Sequence, residues 1–358
     1  MHRLRSLALL SSVFILVSAC QAQTATSETL MLDLPRQSQR ASVSQRIGIT
    51  DITIKYHRPL ANGRQIWGKL APYGKVWRAG ANENTTITFS DPVTIQDKPL
   101  DKGTYGLHMI PNESEWTIIF SKNATSWGSF TYKPEEDALR VEVKPQTSEL
   151  HDALAYDFDE LKPDSAVVTM RWEKIAVPFK VAVNVNDVVL ASLPKQMRGY
   201  AQYYWEGQDD AAGYLLANKT HLDEALKYED QSIQNEERFD NLLNKSRILE
   251  AMGRHQEATP FRDKALGMAS ALQLYVYGRQ LQGDKKQDEA LAIFRSNAKK
   301  FPDDWTSHLG MARVYSAQKD FDNAIKELNL ALKTAPEPNK PSLENYVQRL
   351  KTKDDINH

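Results

Sequence analysis

Four alanines at nearly equal intervals constrain this chain more than any other feature. Ala225 stands in HLDEALKYEDQSI, Ala258 in RHQEATPFRDKAL, Ala290 in KQDEALAIFRSNA and Ala324 in DFDNAIKELNLAL, at spacings of 33, 32 and 34 residues. The residues around them are mostly Ala, Leu, Gln, Lys and Glu, with apolar positions at helical spacing. A period of this length corresponds to one helical hairpin per unit. One hairpin cannot bury its own apolar face, so the units must stack.

The last unit carries Ala312, Tyr315, Ala324, Leu328, Ala331 and Pro336, and the unit before it Gly278, Leu281, Ala290, Phe294, Ala298 and Pro302. Small residues let two antiparallel helices approach closely, a large one fills the gap beside them, and proline ends the second helix. This pattern resembles the tetratricopeptide repeat. The two earlier units depart from it: Ser232 replaces an alanine and Arg262 takes a large-residue place. Pro260 is expected in the first turn of its helix, where proline is tolerated. The resemblance implies a helical-hairpin solenoid over 195–355 whose groove takes a peptide or another protein. Tyr200, Tyr203, Tyr204 and Trp205 stand at its start and are expected to cap the repeat core or pack on the preceding domain.

Ahead of the repeats the pattern changes. Over 41–185, β-branched and aromatic runs alternate with Gly, Pro, Asn and Asp, and no helical period of comparable length occurs. Strands are expected near Ile47–Tyr56, Thr85–Phe89, Val93–Ile95, Thr104–Ile110, Trp116–Phe120, Leu139–Val143, Leu154–Phe158, Ala166–Trp172 and Val177–Val183. Many short strands at this spacing predict an antiparallel β-sandwich or jelly roll. The fold class is therefore two-domain, β followed by α, with Asn184–Pro194 as the boundary and Pro194 as the break.

The irregular part of the β region is Arg58 to Thr86, RPLANGRQIWGKLAPYGKVWRAGANENTT. Two readings stay open for it. Arg58, Arg64, Trp67, Trp77, Arg78, Asn82 and Glu83 can line a pocket, with arginine fixing an anion and tryptophan stacking on a ring. Alternatively, the same groups bond backbone that the sheet leaves unpaired, and the tryptophans plug the end of the sandwich. The run from Gly63 to Glu83, followed by Gly103-Thr104-Tyr105, Trp116 to Phe120 and Trp127-Gly128, resembles the bacterial domain of unknown function family 2911 over roughly 30–180. The resemblance implies an exported, mostly β domain and brings no catalytic residues.

The first twenty residues, MHRLRSLALLSSVFILVSAC, hold a basic start at Arg3 and Arg5, an apolar core from Leu7 to Val17, and small residues before Cys20. The core is of signal-peptide length, too short to span a bilayer. The expectation is a lipoprotein signal peptide over 1–19 with Cys20, the one cysteine, carrying the lipid tether. Residues 20–40 are Ser-, Thr- and Gln-rich and read as a flexible spacer. Gln21 follows the cysteine where inner-membrane retention favours Asp. The expected location is the cell envelope, at the periplasmic face of the outer membrane.

Charge excludes one partner class. From Lys195 onward there are 24 basic and 25 acidic side chains, and before it 21 of each, so the basic footprint of a nucleic-acid binder is missing. No H-E-x-x-H, C-x-x-C, Walker A, G-x-G-x-x-G or G-x-S-x-G run occurs. His57, His108 and His151 are scattered, so spacing supports neither a metal site nor a cofactor. The expected function is a lipid-anchored envelope binding protein or scaffold using its repeats for protein interaction. The alternative is an envelope hydrolase acting on glycan or peptide, with its site in 58–86.

Overall fold

The structure is a computed structural model and describes residues 34–357. Cys20, the signal peptide and most of the spacer lie outside the described residues. Two compact units divide between Val188 and Val189.

The first unit has ten strands: β1 (Gln39–Ile47), β2 (Thr50–Arg58), β3 (Thr86–Phe89), β4 (Val93–Ile95), β5 (Lys98–Leu100), β6 (Gly103–Ile110), β7 (Trp116–Ser121), β8 (Asp137–Val143), β9 (Gln146–Asp159) and β10 (Ser165–Ala182). They form a six-stranded sheet in the order β1-β2-β3-β6-β7-β8 and a four-stranded sheet in the order β5-β4-β10-β9. Every pairing is antiparallel. Alternation sends Ile52, Ile54, Phe89, Leu107 and Phe120 from one sheet, and Val168, Met170, Phe179 and Val181 from the other, into one shared core. Phe120 and Phe179 meet edge-on across it at 5.9 Å. This is the expected sandwich.

Three strand readings change. The single strand expected at Ile47–Tyr56 is the second half of a hairpin. β1 begins at Gln39, at the end of the segment read as spacer, and pairs with β2 through the turn Gly48-Ile49. Gly48 is required there twice over: its φ is +57°, and an added Cβ would lie 2.6 Å from Val185 Cγ1. β5 lies in what reads as turn. Only Gln96 and Asp97 form the turn, both left-handed, and Pro99 is tolerated because β5 is an edge strand. Lastly, Ala166–Trp172 and Val177–Val183 belong to one 18-residue strand, β10, whose register shifts on either side of Glu173. The shifts are bulges, so the intervening polar residues bend the strand without ending it.

The helix α1 (Val185–Gln196) runs through the expected boundary with Pro194 inside it. Pro194 does not break the helix because it falls near its end, where only one backbone bond is forfeited. Four hairpins follow, each a 13-residue helix and a 14-residue helix: α2 (Trp205–Ala217) with α3 (Leu222–Asn235), α4 (Phe239–Ala251) with α5 (His255–Met268), α6 (Ala271–Gly283) with α7 (Gln287–Lys300), and α8 (Trp305–Ala317) with α9 (Phe321–Thr334). α10 (Lys340–Lys351) packs on α9. Ala225, Ala258, Ala290 and Ala324 each occupy the fourth position of a second helix, and each is fully buried. Gly278 shows why small residues face the partner helix: a Cβ there would lie 2.4 Å from Phe294 Cε1. Lys219, Gly253, Lys285 and Lys319, all left-handed, close the four hairpins at matching places.

Three expectations in this unit are corrected. The buried small position of the third hairpin is Asn297, not Ala298. Asn297 is fully buried and donates through Nδ2 to Ala271 O at 2.9 Å, so a polar residue sits there with its donor satisfied. Pro260 is the sixth residue of α5, beyond the first turn. Tyr200, Tyr203 and Tyr204 do not cap the repeat core: they are 83%, 71% and 58% exposed, on and just after the 3-10 turn Tyr200–Tyr203 ahead of α2.

Candidate functional site

The segment between β2 and β3 closes one end of the sandwich, and its shape is set by tryptophan packing. Trp67 meets Trp77, Trp116 and Trp172 edge-on, with ring centroids 5.7, 4.8 and 5.7 Å apart. Trp77 stacks on Trp172 at 5.7 Å. Trp172 also donates through Nε1 to Asp152 O at 3.1 Å. Trp77 and Met109 exchange backbone hydrogen bonds of 2.8 Å, which pins the segment to β6. Past Arg78 the backbone is forced into left-handed geometry at Ala79 and Asn82. Ala79 is fully buried, and its carbonyl accepts from Tyr156 Oη at 2.8 Å and Thr85 Oγ1 at 3.2 Å. Such geometry in non-glycine residues persists only where the surroundings over-determine it.

Against this frame the seven sequence candidates divide. Arg58 donates through Nε to Leu154 O at 2.9 Å, linking β2 to β9. Arg64 donates to Ala61 O and Leu60 O. Asn82 donates to Ser38 O at 3.4 Å. Trp67 is packed within the aromatic cluster. Glu83 holds Arg36 at 2.6 Å and stands 3.3 Å from His57 Nε2. That second contact lacks hydrogen-bond geometry, since Glu83 Oε2 is without a hydrogen-bond partner. Burial holds the His57 imidazole below its usual range despite Glu83, so it is neutral at pH 7 and the contact is not an ion pair. Burial pushes the Glu83 carboxyl up, but a backbone N–H and the Arg36 guanidinium outweigh this and hold it below its usual range.

Arg78 behaves differently. It is half-buried, its Nε is shielded from solvent without a hydrogen-bond partner, and burial lowers its pKa. With Arg64, Trp77, Trp172, Leu60 and Ser38 it lines a cavity of about 250 Å³. The structure thus brings Arg64, Trp77 and Arg78 to one cavity and places the other four candidates in supporting contacts. Trp172, Arg36 and Trp127 were not legible as part of the site. They are distant in sequence, and only the fold sets the Arg36 guanidinium 5.5 Å from the Trp127 ring centroid.

His108 is buried, bonds Ser129 Oγ through Nδ1 at 2.9 Å, and is pushed down to about 4 by burial, despite Asp137. A serine beside a neutral imidazole invites a hydrolytic reading. However, Asp137 gives Oδ2 to Tyr132 at 2.6 Å and to Arg140, and does not orient the imidazole. Among the described residues no group of three or more His, Cys, Asp or Glu could hold a metal ion. No described helix is long and apolar enough to cross a membrane.

Residues 38–181 match the family model described as a protein of unknown function, DUF2911. The DUF2911 match runs from just before β1 to the last residue but one of β10, so it takes in the whole sandwich together with the Arg78 cavity. Residues 281–350 match the tetratricopeptide repeat. That match begins at the end of α6 and stops in α10. α2 to α5 lie before it, yet repeat its helix lengths and its buried alanines. No curated protein matches the chain.

Tetratricopeptide repeats generally mediate protein interaction. Leu272 and Val276, 54% and 44% exposed, share one face of α6 with Arg279 at i, i+4, i+7 spacing.

Proposed function

We propose that this chain is a lipid-anchored protein of the bacterial cell envelope that holds a protein partner on its helical repeats. The observation that carries the reading is the uncovered face of α6, with Leu272 and Val276 beside Arg279 in a stacked array of four hairpins. The basic start, the short apolar core and Cys20 support the anchor, and Gln21 in place of Asp favours the periplasmic face of the outer membrane. The β-sandwich supplies a second, smaller site: the Arg78 cavity has the size and donors for a compact anionic group.

A photo-crosslinking residue at Leu272, in cells producing the full chain, is expected to yield a discrete protein adduct. The same residue at exposed Lys299 of α7 gives none. Absence of any adduct at Leu272 overturns the partner reading. For the anchor, Cys20→Ser is expected to move the protein from the membrane fraction to the soluble fraction. Unchanged partitioning rejects lipidation.

A further inference from the structure

The first helices of the last three hairpins carry an unadvertised register. Arg247, Arg279 and Arg313 are each the ninth residue of their helix, in α4, α6 and α8. The spacing follows the repeat, so stacking sets the three positions in line along one side of the array, and Arg279 lies close enough to Arg313 for the two charges to act on each other. Aromatic rings hold two of them. Arg247 lies over Tyr277, with its guanidinium carbon 5.4 Å from the ring centroid. Arg313 lies between Tyr275 and Tyr346, at 6.0 and 5.2 Å. Among the described residues, none of the three arginines has a carboxylate within ion-pair distance. Arg279 is partly desolvated beside Arg313, which holds its pKa below the usual guanidinium value. The side-chain hydrogen bonds of the three go to neutral acceptors: Gln280 for Arg247, Gln282 for Arg279, and the Tyr275 and Tyr346 hydroxyls for Arg313. The guanidinium groups are thus held in place with their charge uncancelled and favour an anion beside them.

One end of the column is covered by the chain's own tail, whose main chain meets Arg313 and whose aspartates meet Ser316 and Arg349 beside it. After α10 the chain turns back, and Asp354–Asn357 lies against α8, α6 and α10. Ile356 is the anchor, 1% exposed within the core of the last hairpin. Arg313, itself 1% exposed, donates through Nη1 to Ile356 O. Ser316 Oγ donates to Asp355 at 2.6 Å and accepts from Ile356 N at 3.1 Å. Arg349 Nε donates to Asp354 at 2.6 Å. Asn357 closes the segment, donating to Arg313 O at 3.0 Å and accepting from Gln282 Nε2 at 2.7 Å. Gln282 in turn accepts from Arg279 Nη1 at 2.7 Å, which connects the occupied place to the next arginine. The segment is short, acidic and aliphatic, and is read through both main chain and side chains. Beyond it, Leu272 and Val276 continue the apolar surface beside Arg279.

We propose that the column Arg247–Arg279–Arg313 reads an extended acidic protein segment carrying an aliphatic residue, and that Asp354–Asn357 occupies its last place in cis. The inference rests on the partner-binding reading above and names the chemistry of the partner. An incoming segment lays its aliphatic residue on Leu272 and Val276 and its carboxylates on Arg279 and Arg247. To engage Arg313 as well, it must displace the chain's own tail.

The test uses a fluorescein-labelled peptide of tandem Asp-Asp-Ile-Asn units, titrated into the full chain by anisotropy. Saturable binding is expected, weakened about tenfold or more by Arg279→Glu or Arg247→Glu at an unchanged thermal midpoint. Removal of residues 352–358 is expected to strengthen it several-fold. If that truncation disturbs folding, Ile356→Ser in the full-length chain releases the same segment. A peptide with Lys in place of Asp is expected not to bind. Equal affinity for Arg279→Glu and the parent, or no saturable binding once the tail is released, overturns the proposal. A Leu272 crosslink that survives Arg279→Glu overturns it too, while leaving the partner reading standing.

Discussion

The first and fourth hairpins have the same helix lengths and bury the same positions, yet they fill those positions with different chemistry. At the fourth place of the second helix both have alanine, Ala225 and Ala324. At the eighth, Leu328 in the last hairpin corresponds to Glu229 in the first, and at the eleventh Ala331 corresponds to Ser232. All six residues are 0% exposed. Ser232 solves its polarity locally, donating to Trp205 O at 2.9 Å and accepting from Asn241 Nδ2 at 3.0 Å. Glu229 solves it only as the neutral acid: as a carboxylate neither oxygen has a partner, whereas protonated it shares a hydrogen bond with Asp209. It stands close enough to Asp209 for the two acids to influence each other, and burial, then Asp209, pushes Glu229 up to about 10. Its tolerance in the core therefore depends on its being neutral. The small residue at the fourth place is common to the two hairpins, whereas the large place of the first holds an acid because Asp209 and burial keep it neutral.

The comparison is broken most directly by exchanging the two residues. Leu328→Glu buries an acid where no neighbouring place has adapted to it, and a loss of about 3–5 kcal/mol is expected in urea denaturation. A loss below about 1 kcal/mol would mean that the fourth hairpin tolerates the acid as the first does. Glu229→Leu has the opposite sign. Replacing a buried acid that faces a second acid by an apolar group of similar volume is expected to stabilise the chain by about 1–3 kcal/mol at pH 7. Destabilisation there would show that the bond to Asp209 outweighs the cost of burying the two acids together.

The same acid predicts a pH slope. Its folded pKa, about 10, lies above that of an ordinary glutamate in the unfolded chain, so the folded state binds the extra proton between the two. Its contribution is fully present below about pH 4 and falls as pH rises toward 10, by at most about 1.4 kcal/mol per pH unit. The groups facing it are Asp209 on α2, whose own carboxyl burial also pushes up, Asp230 on α3 and Lys245 on α4, with Asp240 of α4 acting on Asp209. Denaturation midpoints taken from pH 6 to 9 are expected to fall in the parent and to flatten in Glu229→Leu. A parallel fall in both chains assigns the slope to other groups.

Much of this architecture was legible because it rests on periods. The alanine spacing specified four hairpins, and alternating β-branched residues specified a sandwich. What escaped were places where one position departs from its period for a tertiary reason. β1 is polar because it is an edge strand with one face in solvent, so nothing distinguished it from spacer. The β10 bulges break alternation without ending the strand. Asn297 hides a polar residue at an alanine place because the start of α6 offers it a carbonyl. In the candidate site the residue types were right but their uses could not be separated. Only in the folded chain do Arg58 and Arg64 donate to backbone carbonyls while Arg78 Nε donates to nothing.

That last distinction carries the contrast between satisfied and unsatisfied buried groups into the sandwich, with the smallest expected effect. Glu83 ties Arg36 to the segment, and removing it as Glu83→Ala leaves Arg36 without its carboxylate, for a loss of about 1 kcal/mol. Arg78 is bound to nothing through Nε, so Arg78→Ala sacrifices packing alone and is expected to change stability by under about 0.5 kcal/mol. The two variants separate support from binding. If the cavity takes an anion, inorganic phosphate or acetate raises the thermal midpoint of the parent and of Glu83→Ala but not that of Arg78→Ala. If Arg78→Ala instead costs as much as Glu83→Ala, the arginine belongs with Arg58 and Arg64 as a brace for the loop. The cavity beside it is then a packing remnant of the tryptophan cluster.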